Sequence, residues 1–114
     1  MTTPIAILLS GRGSNFLALN AAIERGELAA RIAVVVSNVP GAPGLTRADE
    51  LGLDAVAIPH ALEPSRDAHE TKVIAAIEAS GAEWVCLAGY MPLLSSQTVG
   101  RFRERTLHIH PTLL

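Results

Sequence analysis

The sequence has few aromatic residues, no strong charge of either sign and no long apolar run, and each shortage excludes a class of protein. Aromatic residues make up 4% of the chain and the net charge is −2. The chain therefore has neither the excess of basic residues nor the aromatic side chains for base stacking that proteins use to bind nucleic acid. No apolar run approaches the roughly 18 residues that a membrane-spanning helix requires. We therefore expect no nucleic-acid partner and no membrane insertion.

The sequence contains little cysteine, which favours a reducing compartment. The single cysteine, Cys86, lies within an apolar run and has no second cysteine with which to form an internal disulfide. No basic segment precedes the first apolar run, so we predict no secretion signal. We expect a cytoplasmic protein in which Cys86 is a small core residue, and a chain of 114 residues that forms one domain over residues 1–114.

The stretch from Ile5 to Asn15 predicts a buried strand, a glycine turn and a helix start. Its apolar residues are continuous, not alternating, which is typical of a central parallel strand covered on both faces. Gly11 and Gly13 permit a tight turn and the close approach of a ligand, and Ser14 or Asn15 is expected to cap the helix that begins at residue 16. A helix N-terminus presents N–H groups to anions, so Gly13, Ser14 and Asn15 are predicted to bind a phosphate.

This turn departs from two well-known phosphate-binding motifs. The dinucleotide fingerprint requires a third glycine, where Phe16 stands, and an acidic residue after the next strand, which here ends in Ser37-Asn38. The Gly-Lys-Ser/Thr of a Walker loop is also missing. Neither NAD nor a nucleoside triphosphate is favoured. An ordinary strand-to-helix turn, in which the glycines serve only their dihedral angles, remains the alternative.

Strands and helices alternate along the rest of the chain. This alternation, with connections too long for hairpins, predicts an α/β fold: a parallel sheet with right-handed crossovers and helices on both faces. Ser65 is the predicted N-cap of the third helix, and three glycines are expected to end helices: Gly26, Gly52 and Gly81. The predicted strands cover residues 5–9, 31–37, 55–58, 84–88 and 106–109, and the predicted helices cover residues 14–25, 45–51, 65–80 and 95–105.

Ligands of parallel sheets lie beyond the carboxyl ends of the strands. Four segments are predicted to meet at that edge: 11–15, 59–66, 89–94 and 108–111. In the last of them, His108 and His110 are two residues apart on an extended segment, so their side chains should point to the same side. The pair is open to three interpretations: polar residues at a strand end, two ligands of a metal site, or an acid/base pair around a reacting carbonyl.

Three motifs together resemble the N-terminal half of the phosphoribosylglycinamide formyltransferase family: Ser10-Gly-Arg-Gly-Ser-Asn15, Ala88-Gly-Tyr-Met91 and Leu107-His-Ile-His-Pro-Thr-Leu-Leu114. The resemblance implies a Rossmann-like formyltransferase fold whose C-terminal part is missing from this chain. It also implies transfer of a formyl group from 10-formyltetrahydrofolate to glycinamide ribonucleotide in purine synthesis, without a metal.

The resemblance also assigns residues to roles. Gly13, Ser14 and Asn15 would hold the ribonucleotide phosphate, and His110 matches the catalytic histidine. His108 stands where the family has an asparagine that polarises the formyl oxygen. The folate would be bordered by His108 and by Arg66, Met91, Pro92, Leu93 and Leu94, with Pro92 in place of the family's usual arginine.

The family's catalytic aspartate falls beyond residue 114, so the 114-residue chain is expected to be inactive alone. A half-sheet would leave strand edges that favour pairing, and we expect a possible homo-oligomer. Two alternatives remain: a non-catalytic phosphosugar-binding module, and another folate-dependent formyltransferase or hydrolase.

Overall fold

The computed structural model describes residues 2–90, 100–102 and 104–108. These residues form a parallel sheet with helices between the strands, as the alternation in the sequence predicted. In chain order the elements are β1 (Thr3–Leu9), α1 (Ser14–Glu24), β2 (Ala30–Ser37), α2 (Pro43–Glu50), β3 (Ala55–Ala57), a 3₁₀ turn (His60–Leu62), α3 (Arg66–Ser80), β4 (Trp84–Leu87) and β5 (Thr106–His108). The five strands lie in the order β3-β2-β1-β4-β5, and every neighbouring pair is parallel.

Strand β1 lies at the centre of the sheet, which explains why its apolar residues are continuous. Successive side chains of a strand point to opposite faces. The odd-numbered residues of β1 pack with α1 and α2, and the even-numbered ones pack with α3. The first layer contains Ile5, Ile7, Leu9, Phe16, Leu45 and Ala48, and the second contains Ala6, Leu8, Val73, Ile74 and Ile77. The predicted helices on both faces are therefore confirmed.

The signals for helix ends hold in most places. The Ser65 side chain accepts a hydrogen bond from the Ala68 amide at 3.1 Å and caps α3, as predicted. Gly26, Gly52 and Gly81 all have φ near 77–79°, the left-handed conformation that glycine adopts at helix ends. None of the described helices has the length and apolar character needed to cross a membrane.

The predicted helix at 95–105 ends earlier than the sequence indicated. Residues 95–99 lie outside the described residues, and residues 100 and 101 are helical. Glu104 then has φ 69°, which is incompatible with a continuing helix, and the Arg105 amide closes a turn onto the Phe102 carbonyl at 2.9 Å. The Arg105 carbonyl accepts from the Val85 amide at 2.8 Å, so this residue already belongs to the approach of β5.

The order of the strands creates a crevice between β1 and β4. From β1 the chain moves through β2 to β3 in one direction, and then α3 carries it back across the sheet to β4 on the other side of β1. The strands that follow β1 and β4 in the chain therefore lie on opposite sides of this pair. Such a switch point, at the carboxyl ends of the strands, is where open α/β sheets bind their ligands.

Candidate functional site

The glycine loop, residues 10–15, leads from the end of β1 into α1 at this switch point. Gly13 is the N-cap of α1, with the left-handed dihedral angles φ 74° and ψ 28°, and among the described residues no side chain caps the helix by a hydrogen bond. The prediction that Ser14 or Asn15 caps a helix starting at residue 16 is therefore wrong, whereas the predicted helical range of 14–25 agrees with the observed start at Ser14. The helix starts two residues before Phe16 because the Gly13 carbonyl already accepts from the Leu17 amide at 2.8 Å. Ser14 is exposed in the first turn, while Asn15 is buried.

The contact between the glycine loop and α2 depends on two glycines, Gly13 and Gly44, that pack against each other. A Cβ atom added to Gly13 would lie 3.0 Å from the Gly44 Cα, 3.2 Å from Leu9 and 3.3 Å from Phe16. Gly44, in the first turn of α2, donates its amide hydrogen to the Gly11 carbonyl at 3.0 Å. Gly13 is therefore required for its positive φ and for packing against α2, whereas around Gly11 a Cβ would meet no atom within 4 Å. The sequence could not reveal the role of Gly44, because its partner lies in another loop.

The loop environment favours an anion. The N-termini of α1 and α2 meet at the glycine loop, and each helix N-terminus carries a partial positive charge. Residues 10–16 and 37–45, which form the two loops, include no aspartate or glutamate. Arg12 is exposed in the glycine loop and takes part in none of the ion pairs of the described residues. The end of β1 is also fixed, because the Ser10 hydroxyl donates to Asn38 Oδ1 at 2.6 Å.

The β4 side of the crevice is apolar and contains a weak acid, the hydroxyl group of Tyr90. Gly89, with φ 76°, follows the strand and leads to Tyr90, which is half-buried against the α3 layer. Burial raises the pKa of the Tyr90 hydroxyl to about 12, and the Glu70 carboxylate of α3 contributes to the same shift. Cys86 is buried, and desolvation raises its pKa to about 11, so the prediction of an inert core thiol is confirmed.

Hydrogen-bond register connects the glycine loop with the strand that carries the histidines. Leu8 of β1 pairs with Leu87 of β4, and Leu87 pairs with His108 of β5. The backbone of His108 thus lies two strand spacings, or about 10 Å, from the backbone of Leu8. β1, β4 and β5 are consecutive in the sheet, so residues 11, 89 and 108 lie at or just beyond the carboxyl ends of neighbouring strands, while residues 91–94 and 109–111 lie outside the described residues and the meeting of the full segments stays a prediction.

The segment 59–66 lies at the same carboxyl end of the sheet as predicted, but it is separated from β1 by one strand and from β4 by two. It follows β3, and β2 and β1 stand between β3 and β4 in the sheet. Arg66 is exposed at the first position of α3, so its predicted contact with folate stays a prediction. Met91, Pro92, Leu93, Leu94 and His110 lie outside the described residues, as does the side chain of His108.

These features define a class: a Rossmann-like α/β domain with a helix N-terminus at the switch point of its sheet. A sequence model of the formyl transferase family matches residues 3–114. The chain belongs to the formyl transferase family. The resemblance to the N-terminal half of phosphoribosylglycinamide formyltransferases, predicted from the three motifs, is confirmed by the relatives below.

Two curated proteins and one solved structure illustrate the similarity. The chain is 38% identical over 112 residues to the trifunctional purine biosynthetic protein adenosine-3 of Drosophila pseudoobscura pseudoobscura, an alignment covering 96% of this chain and 8% of that protein. It is 34% identical over 110 residues to the phosphoribosylglycinamide formyltransferase of Escherichia coli (strain K12), covering 96% of this chain and 52% of that protein. The crystal structure of glycinamide ribonucleotide transformylase 1 from Symbiobacterium toebii superposes with a TM-score of 0.91 at 38% identity, covering 96% of this chain and 52% of that one. The chain thus spans about half the length of the single-function relatives and a small part of the trifunctional one.

We predict that Gly44→Ala destabilises the protein and distorts the glycine loop. The added Cβ would lie 2.8 and 2.9 Å from the two Leu9 δ carbons and 3.1 Å from the Gly11 carbonyl oxygen, so the loop or Leu9 must move. Overpacking of this kind costs about 1–3 kcal/mol, measurable by urea unfolding. Gly41→Ala is the matched control, because a Cβ there meets no atom within 4 Å. Equal stability of the two variants would contradict the packing argument.

We also predict that Tyr90→Phe reduces the loss of stability at alkaline pH. The Tyr90 pKa is raised from 10 to about 12 in the folded protein, so between these pH values the unfolded chain loses the proton first and stability falls as pH rises. Phenylalanine has no proton to lose. Between pH 9 and 12 the variant should lose up to about 2 kcal/mol less than the parent, a bound that allows for partial exposure of the ring.

Urea unfolding at a series of pH values measures this difference. The alkaline titration of Cys86 is common to both proteins and cancels in the comparison. Parallel stability curves for parent and variant would show that the Tyr90 hydroxyl does not have the predicted environment.

Proposed function

We propose that this chain is the phosphate-binding, N-terminal part of a phosphoribosylglycinamide formyltransferase. The complete protein would transfer a formyl group from 10-formyltetrahydrofolate to the amine of glycinamide ribonucleotide. The observation that carries the proposal is the register of Leu8, Leu87 and His108, which sets the strand of the histidine motif about 10 Å from the end of β1. That separation is comparable with the length of a phosphoribosyl group carrying a small amide.

The glycine loop would bind the phosphate through α1. The first N–H groups of an α-helix have no acceptor within the helix, and a phosphate at this position receives their hydrogen bonds together with the favourable helix dipole. In α1 no side chain of the described part of the chain takes this place, since the N-cap is Gly13. The neighbouring N-terminus of α2 and the exposed Arg12 add positive potential, and the two loops contain no carboxylate that would oppose it.

The chemistry would take place at the carboxyl end of β5. The substrate amine attacks the formyl carbon, a tetrahedral intermediate forms, and the bond from this carbon to N10 of the folate breaks. The amine loses a proton and the folate nitrogen gains one. In this proposal His110 moves the proton and His108 donates a hydrogen bond to the developing oxyanion, a contribution whose loss typically costs about 10²–10³ in rate. Arg66 and residues 91–94 would border the folate, and no step requires a metal ion.

The compartment and partners follow from the same proposal. We place the reaction in the cytoplasm, in keeping with a single buried cysteine that forms no internal disulfide. The partners proposed are the two substrates, without nucleic acid.

We predict that Ser14→Asp weakens ribonucleotide binding while leaving the fold intact. Ser14 is exposed in the first turn of α1, where a carboxylate favours the helix dipole but repels a bound phosphate. Like charges about 4 Å apart oppose each other by about 1–4 kcal/mol, so affinity should fall at least about 5-fold. Calorimetry with glycinamide ribonucleotide measures the affinity, and urea unfolding measures the stability.

Ser14→Asn is the control of similar shape without the charge, and it should weaken binding far less. The dephosphorylated riboside supplies a second control, because its binding should not respond to the aspartate. If Ser14→Asp binds the ribonucleotide as tightly as the parent does, the phosphate does not lie at α1.

We further predict that the purified 114-residue polypeptide does not turn over the two substrates. It spans 52% of the Escherichia coli relative, and positioning two substrates requires surroundings that the other half of that protein supplies. Misplacement by about 1 Å already costs about 10²-fold in rate. The assay supplies both substrates and includes the full-length Escherichia coli relative as a positive control; formyl transfer by the polypeptide alone would contradict the prediction.

A further inference from the structure

A row of three polar side chains links the ends of β1, β2 and β3. The Ser10 hydroxyl, just after β1, donates to Asn38 Oδ1 at 2.6 Å. Asn38, just after β2, holds its Nδ2 at 3.3 Å from Nδ1 of His60, which follows β3. Asn38 is 5% exposed, whereas His60 is exposed to solvent. The row therefore runs from the first residue of the glycine loop, through a buried amide, to a histidine at the surface.

The atoms of the row fix the direction of each hydrogen bond. Because Oδ1 of Asn38 accepts from Ser10, the Nδ2 group at the other end of the amide donates to His60. His60 Nδ1 must then be the unprotonated, accepting nitrogen. An acceptor at this position determines which way round the buried Asn38 amide lies, and the amide in turn orients the Ser10 hydroxyl. Loss of the acceptor leaves a buried N–H group without its partner, and such groups are costly.

The surroundings of His60 contain few other charges. From α3 the His69 ring approaches edge-on, with the ring centroids 6.0 Å apart, and His69 Nε2 donates to the Ile58 carbonyl at 2.6 Å. Glu70, next to His69, is buried. Glu63, in the segment of His60 itself, is paired with Lys72 at 2.8 Å. Asn38, at the carboxyl end of β2, is thus the polar residue that contacts the His60 ring through a hydrogen bond.

We propose that His60 is a positioning residue for the phosphate loop, acting through Asn38 and Ser10. The inference rests on the proposed function, because the loop is taken to bind the ribonucleotide phosphate. By accepting at Nδ1, His60 holds the amide and the Ser10 hydroxyl in one arrangement, so the glycine loop is ordered before the ligand arrives. Without an acceptor at residue 60, the buried Asn38 amide loses its partner and this arrangement is no longer held. Ribonucleotide affinity therefore depends on the hydrogen bond accepted by a histidine that does not touch the ligand.

The test compares two variants of equal size, His60→Asn and His60→Leu. Asparagine places an oxygen close to the position of Nδ1, whereas leucine has the same shape without an acceptor. We expect His60→Leu to bind glycinamide ribonucleotide about 10-fold more weakly at pH 8, because binding must restore the loop arrangement that the lost hydrogen bond had held. His60→Asn should recover most of this loss. Both substitutions are at an exposed position, and urea unfolding of each variant checks that stability is kept.

Rescue by the conservative variant supplies a readout that a purely structural role of the ring would not affect. His60→Asn restores an acceptor without restoring the ring, so recovered affinity in this variant identifies the hydrogen bond to Asn38, and not the packing of the ring, as the cause. Equal affinity of His60→Leu and the parent, or equally weak binding by both variants, would overturn the proposal.

A ligand-free measurement separates this inference from the proposed function. The amide resonances of residues 11–14 should shift in His60→Leu relative to the parent, and His60→Asn should restore most of their parent positions. If they do so and the ribonucleotide fails to bind the parent, the proposed function is wrong while the link between His60 and the loop stands. If the loop resonances are the same in all three proteins, the inference is wrong, whatever the ligand does.

Discussion

The contact between Gly13 and Gly44 is the constraint on which the candidate site depends. Two helices can begin side by side at the end of β1 only because neither residue at their meeting point carries a side chain. The hydrogen bond from the Gly44 amide to the Gly11 carbonyl then fixes the loop against α2. As a result the N-terminus of α1 carries no side-chain cap from the residues that the structure describes, lies beside a second helix N-terminus, and is placed where the order of the strands reverses.

Local signals predicted most of the fold because each depends on residues that are neighbours in the chain. The continuous apolar run of β1, the cap at Ser65 and the glycines that end helices all act within one turn or one strand, and all are present. The predicted N-cap of α1 was wrong for a related reason. Ser14 is a good capping residue by type, but Gly13 adopts the left-handed conformation one residue earlier and takes the position.

Features of the site that join distant residues left no pattern in the sequence. The packing of Gly13 on Gly44 and the hydrogen bonds of Asn38 to Ser10 and His60 bring together separate loops, and single positions cannot show them. The distance of segment 59–66 from the histidine strand depends on strand order, which follows from the path of α3 across the sheet. The roles of His108 and His110 came from the resemblance and from their spacing, and they stay predictions.

The central position of β1 has a consequence for how the chain acquires its structure during synthesis. β1 leaves the ribosome before the other strands of this sheet and can pair with β2, which follows it closely, but its other neighbour, β4, begins only at Trp84. Until that segment emerges, one long edge of an apolar strand has no partner, and such edges attract other unfinished chains. During synthesis, the strand that is most buried in the folded protein is therefore temporarily exposed. We expect the yield of the protein in cells to depend on chaperones during that interval.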